Sequence, residues 1–85
     1  DRPAPKLFPN PNGGELYVDL AAWSGEKVQL LVFNAQGQQV QVVSVRAGES
    51  PYALRLPHGL ADGLYTLHLA AEKGERHAVR FVLQR

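Results

Sequence analysis

The chain has no cysteine, so neither a disulfide nor a thiolate metal site can hold it together. Its redox compartment stays open for the same reason, because a cysteine-free domain suits either side of a membrane. Charge of one sign is also lacking. Nine Lys and Arg against eight Asp and Glu give a net charge of +1, with bases scattered among acids along the sequence. That distribution argues against nucleic acid as a partner, which calls for a basic stripe. The longest apolar runs, "LAAW" and "LLVF", fall far short of the roughly 20 residues that span a bilayer. No positively charged leader with a hydrophobic segment precedes them, so no signal peptide is read here.

What remains is an 85-residue chain, 45% hydrophobic and 20% charged, a composition of globular rather than disordered proteins. One core is all that this length can bury. An unstapled domain of this size depends on apolar burial, worth about 25 cal/mol per Å². The opening "DRPAP" is polar and proline-spaced, with little to pack, and reads as a linker to an upstream passenger. Residues 6–85 are then the domain, one end of a longer protein.

Apolar residues alternate nearly throughout, the period of half-buried strands. A short piece near Lys6 to Phe8 is followed by Leu16/Val18/Leu20, Val28/Leu30/Val32, Val40/Val42, Tyr52/Leu54/Leu56, Tyr65/Leu67/Leu69 and Val79/Phe81/Leu83. No helical period competes. Turn chemistry sets two hairpins. The loop Ala35-Gln36-Gly37 places glycine where a three-residue hairpin needs a left-handed residue, so Val32 should face Val40 and Leu30 should face Val42. Glu72-Lys73-Gly74 repeats the device and sets Leu67 opposite Val79 and Tyr65 opposite Phe81. In "LADGLY", Asp62-Gly63 makes a corner and Tyr65 is placed to return its hydroxyl to upstream backbone, a tyrosine corner. These features predict an all-β, immunoglobulin-like antiparallel β-sandwich of about seven strands, with a strand-rich barrel as the other architecture.

Chemistry is scarce. His58, His68 and His77 raise a metal site, but the hairpin register puts His68 and His77 on opposite faces and His58 in a loop. Ser24, Ser44 and Ser50 lack the setting of a nucleophile. Asp19, Glu26, Glu49 and Asp62 read as turn and solvent-face residues. No catalytic, cofactor or metal residue is assigned. Leu31 and Phe33 fall on the outward side of their strand, where they either lie under an overhanging segment or form a contact surface. Unpaired edges beside such a face would favour a dimer. Trp23 either caps one end of the sandwich or offers an aromatic platform to a sugar.

The stretch "LFPNPNGGELYVDL" frames Asn10 with Pro9 and Pro11, neither of which can donate to a ladder. It reads as a stiff, extended lead-in that cannot pair, closed by an Asn12-Gly13-Gly14 turn. Together with "KVQLLVFNAQGQQV", "LRLPHGLADGLYTLHL" and "AVRFVLQR", this order resembles the type A C-terminal sorting domain of the type IX secretion system. The family pattern of aromatic-Pro-Asn-Pro, a glycine turn after a strand, Leu-x-x-Gly-x-Tyr and a closing basic-apolar strand is carried here by Phe8 to Pro11, Gly37, Leu60 to Tyr65 and Arg80 to Arg85. The resemblance covers about residues 6 to 85. One departure is that the closing basic positions are arginines where the family usually has lysine.

The resemblance implies a secretion address, not an enzyme. Such domains end cargo proteins that cross the periplasm and are guided through the outer membrane by a translocon and shuttle proteins. A sortase peptidase then cleaves in the upstream linker and joins the cargo to anionic lipopolysaccharide at the cell surface, or the cargo is secreted. On this resemblance Pro9, Asn10, Pro11, Arg80 and Arg85 become candidate recognition residues. Gly37, Gly63, Tyr65 and Gly74 are motif residues that form the fold. The other reading is an uncleaved docking or carbohydrate-binding accessory module of a secreted or secretion-machinery protein.

Overall fold

In the computed structural model, residues 3–48 and 50–85 are described; Asp1 and Arg2 of the linker and Glu49 lie outside the described residues. Seven strands follow in chain order: β1 (Leu7–Phe8), β2 (Glu15–Val18), β3 (Lys27–Phe33), β4 (Gln39–Arg46), β5 (Tyr52–Arg55), β6 (Gly63–Ala71) and β7 (Arg76–Leu83). The order β1-β2-β5 forms one antiparallel sheet and β4-β3-β6-β7 the other. The two pack as a sandwich with immunoglobulin-like connections, in which the fourth strand joins the second sheet because its hairpin pairs it to β3.

Inward residues of both sheets make one core. Leu16, Val18, Leu30, Val32, Leu67, Phe81 and Leu83 are each at most 1% exposed. Both glycine hairpins form as their turn residues dictate. The Gly37 N–H donates to the Asn34 carbonyl at 3.0 Å, and the Asn34 N–H to the Gln38 carbonyl at 2.9 Å. At the second hairpin the Gly74 N–H donates to Ala71 and the Ala71 N–H to Glu75, so Leu67 faces Val79 and Tyr65 faces Phe81. The Tyr65 and Phe81 rings stack at 5.8 Å, and the Tyr65 hydroxyl donates to the Ala61 carbonyl, completing the tyrosine corner.

The β3–β4 register differs from expectation. A bulge at Val40 shifts the ladder by one residue, so that Val32 faces Gln41, Leu31 faces Val42 and Leu30 faces Val43. Val42 therefore points out, 48% exposed, while Val43 and Val45 pack on the core. The physical reason lies further along the strand. Without the slip, Ser44 and Arg46 would point inward; with it, Val43, Val45 and Ala47 do, the arginine stays in water, and Gln41 is the polar residue turned inward, its Oε1 left without a partner. Gln41 then reaches across the sandwich, its Nε2 donating to the Arg55 carbonyl at 2.8 Å, which ties edge strand β4 to edge strand β5.

The strand directions give the sandwich two distinct ends. One end gathers the Pro9–Gly14 segment, the Gly37 hairpin, residues 56–63 and residues 83–85; we call it the motif end. The other gathers Lys6, a 3-10 turn at Ala21–Trp23, Ala47 and the Gly74 hairpin. Trp23 caps that second end. It is 1% exposed, its Nε1 donates to Glu75 Oε1 at 3.4 Å, and the His77 ring meets it edge-on at 5.5 Å. No indole face is left open for a sugar. At the same end Asp19 Oδ1 accepts from the Ala21 N–H and from Ser50 Oγ, and Ser50 Oγ accepts from the Leu20 N–H.

Two predictions arise here. Gly74 has φ +97° with open space around it, so Gly74→Val should lower the melting temperature through backbone strain alone, by about 1–3 kcal/mol in chemical denaturation. The hydrogen bonds to Asp19 from Ala21 and Ser50 hold its carboxyl below the ordinary 3.8. A depressed carboxylate contributes stability that is present above pH 3.8 and lost as pH falls through the lower folded value. Asp19→Asn keeps an accepting oxygen without the charge, so its stability should fall less steeply than the parent's in denaturant titrations below about pH 4.

Candidate functional site

The Pro-Asn-Pro-Asn segment does pair, contrary to the reading from its prolines, and it does so through its asparagines. β7 is an edge strand, and an uncovered edge is a template for unwanted pairing. Residues 10–12 lie along it. The Asn12 N–H donates to the Val82 carbonyl at 3.0 Å and the Asn12 carbonyl accepts from the Gln84 N–H at 2.8 Å, a parallel bridge beside Leu83. Asn12 is only 2% exposed, and both ends of its side-chain amide are engaged: Oδ1 accepts from the Gly14 N–H at 2.9 Å and Nδ2 donates to the Val82 carbonyl at 3.3 Å. Asn10 completes the seam, its Oδ1 accepting from the Val82 N–H at 2.9 Å. Asn10 thus supplies from its side chain the acceptor that a paired strand would offer from its backbone. Pro9 and Pro11 stand exposed on either side of it.

Arg85 closes the same end. Its guanidinium donates to the carbonyls of His58 at 2.7 Å, Leu60 at 2.8 Å and Pro57 at 2.8 Å. Its backbone N–H donates to Asp62 Oδ1 at 3.1 Å. The side chain lies over Gly14, where an added Cβ would come within 3.3 Å of the guanidinium. Three converging carbonyls suit a planar five-donor fork, which an ammonium at the same place would not match. Arg85 is therefore held within the fold, whereas Arg80 is exposed on the outer face of β7, its side chain bonded to no other described residue.

The four sequence motifs thus meet in space. Phe8 to Pro11, the Gly37 hairpin, Leu60 to Tyr65 and the closing strand all gather at the motif end, and an open groove runs between Asn34–Gln36 and Gly59–Tyr65. Gly74 stands apart, at the opposite end. Asn12, Gly14 and Asp62 were not singled out as site residues by sequence reasoning; the Asn-Gly-Gly run marked a turn, but nothing local showed that its asparagine spans to the last strand. His58, His68 and His77 do not converge, and no group of three or more potential metal ligands exists among the described residues. No helix among the described residues is long and apolar enough to cross a membrane.

Two sheets, the tyrosine corner and the asparagine seam are the setting in which the comparisons with known proteins find their meaning. Residues 6–84 match the family described as the secretion system C-terminal sorting domain, nearly the whole chain. The protein belongs to that family and is a sorting signal of type IX secretion. Such a signal implies contact with the secretion machinery and export across the outer membrane, to the cell surface or the medium. Neither a curated protein nor a solved structure matches the chain significantly.

The seam generates a prediction that separates its two asparagines. Asn12→Ala takes the acceptor from the Gly14 N–H and empties the space of a buried side chain, and should cost about 1–3 kcal/mol of global stability. Asn10→Ala should cost about 1 kcal/mol or less, yet the Val82 amide loses its acceptor. Hydrogen exchange at Val82 should then accelerate well beyond that at Phe81, and equal protection in the variant would refute the seam.

Proposed function

We propose that this domain is the removable address of a cargo protein. It travels with the folded cargo through the periplasm, engages the outer-membrane translocon and its shuttle proteins, and is cut off by a sortase peptidase acting in the linker, residues 1–5. The cargo is then joined to anionic lipopolysaccharide or released. The domain acts as a signal and not as an enzyme. The observation that carries this reading is the family match over residues 6–84, which begins where the linker composition ends.

Within that reading the candidate contact residues divide by their surroundings. Pro9, Pro11 and Arg80 face solvent and are free to meet a partner. Asn10 and Arg85 act through the surfaces they hold in place, the covered β7 edge and the 57–60 loop. A pre-formed, rigid motif end lowers the ordering cost of docking. An uncleaved docking role would use the same end. The sugar-binding alternative loses its platform, since Trp23 is buried.

The test is a transplant. Residues 1–85 are fused to the C-terminus of a folded reporter carrying an ordinary signal peptide, in a bacterium with the type IX system and in a translocon-deficient strain. Delivery to surface or medium that needs the translocon is the expected result, with a shortened reporter reporting cleavage. Retention of a folded fusion in the periplasm of the competent strain would overturn the reading.

A further inference from the structure

We propose that the outer face of the four-stranded sheet docks an acidic protein surface that carries apolar side chains; this rests on the sorting role above and gives its partner a chemistry. Along the sequence acids and bases are interspersed, but the fold keeps the acids off the strands of this sheet, with Glu72 beside Lys27 and Arg46 at its edge. β3, β4, β6 and β7 contain no aspartate or glutamate at all. Lys27, Arg46, Arg76 and Arg80 all lie exposed on the outward side of these strands, four of the nine bases in the chain. Arg46 gives one nitrogen to the Gly25 carbonyl at 2.9 Å, while the side chains of Arg76 and Arg80 bond to no other described residue.

The register lays apolar groups between these cations. Val42, Leu31, His68 and Ala78 form one row straight across the sheet, and Arg76 and Arg80 flank it on β7. Phe33 meets His68 edge-on at 4.8 Å, and a groove beside Arg80 is walled by Phe33, Thr66 and Leu64. Of the large hydrophobics most exposed among the described residues, Val42, Leu64 and Val82 lie on this face; Phe8, the fourth, stacks on Tyr17 of the other sheet. The β4 bulge is what turns Val42 outward to join the row.

This is the anatomy of a protein interface, an apolar centre with arginine at its rim. Clustered cations without an apolar centre would instead suit lipid or polysaccharide headgroups. A second copy of the same face is a poor occupant, because symmetric pairing would bring four cations against four with no carboxylate between them. An acidic partner with apolar side chains satisfies both the row and its rim.

The test titrates the full 85-residue chain and follows its amide shifts. The probes are a peptide alternating glutamate and valine, its glutamine–valine counterpart, and phosphatidylglycerol vesicles. The glutamate peptide should shift amides around Leu31, His68 and Arg80 but not those of Tyr17 and Ala53. Arg80→Glu should weaken it about tenfold or more, whereas Arg55→Glu, the same charge change at an exposed position of the other sheet, should alter it less than about twofold. Equal binding of the glutamine peptide, shifts centred on the other sheet, perturbation by vesicles alone, no shift at millimolar peptide, or equal losses in both variants would each overturn the proposal. In exporting cells, a photo-crosslinker at Ala78 should capture a segment rich in Asp and Glu and one at Ala53 should not; capture of lipid or polysaccharide alone would overturn it too. Failure of the reporter to be exported would count against the sorting role, while the titration would still decide the face.

Discussion

The structure depends on how the last residues of the free β7 edge, Val82 to Gln84, are covered. A sandwich of this size has few strands to spare, and its last strand carries Phe81 and Leu83 into the core while leaving its outward backbone groups unpaired. The segment that covers them comes from the other end of the chain. Within six residues it leaves the three-stranded sheet at Phe8 and arrives beside Leu83 of the four-stranded one, so a single stretch laces the two sheets together. Prolines at positions 9 and 11 prevent the stretch from becoming an ordinary strand, and asparagines at 10 and 12 restore the hydrogen bonds that the prolines cannot make. The alternation Pro-Asn-Pro-Asn is thus a way to cover an edge without extending the sheet.

Much of the fold was legible where the information is local. A glycine three residues into each hairpin loop set the turn and with it the register next to the turn, and the spacing of Asp62, Gly63 and Tyr65 marked the corner. What failed to show was decided at a distance. The β4 slip depends on which of Val42, Ser44 and Arg46 the opposite sheet would have had to accept, and the local pattern "VQVVSV" fits either register. Arg85 looked like a free cation because the loop that receives it lies more than twenty residues away. The segregation of charge was hidden for the same reason: loops and one sheet hold the acids, and only the topology shows that four strands hold none.

The motif residues that define the family are for the most part committed to the fold. Tyr65 holds its corner, Asn10 and Asn12 hold the edge, and Arg85 gathers three carbonyls. What these residues leave standing at the surface is proline rings, a groove and an outward sheet face. For the same reason a truncation that removes Phe81 to Arg85 takes away core and motif together, and surface charge changes separate the two more cleanly.

The run of β1 carries a consequence for whatever precedes the domain. Lys6 sits beside Asp19, its carbonyl accepting from the Asp19 N–H at 2.9 Å, and from there the chain runs toward the motif end. A passenger attached ahead of it therefore departs from the pole that Trp23 closes, and the four motifs crowd the opposite pole of a body whose longest extent is 33 Å. Passenger and label point away from each other. A bulky passenger joined at that pole would leave the motif end uncovered, so the same small domain could follow cargoes of different size without being redesigned for each.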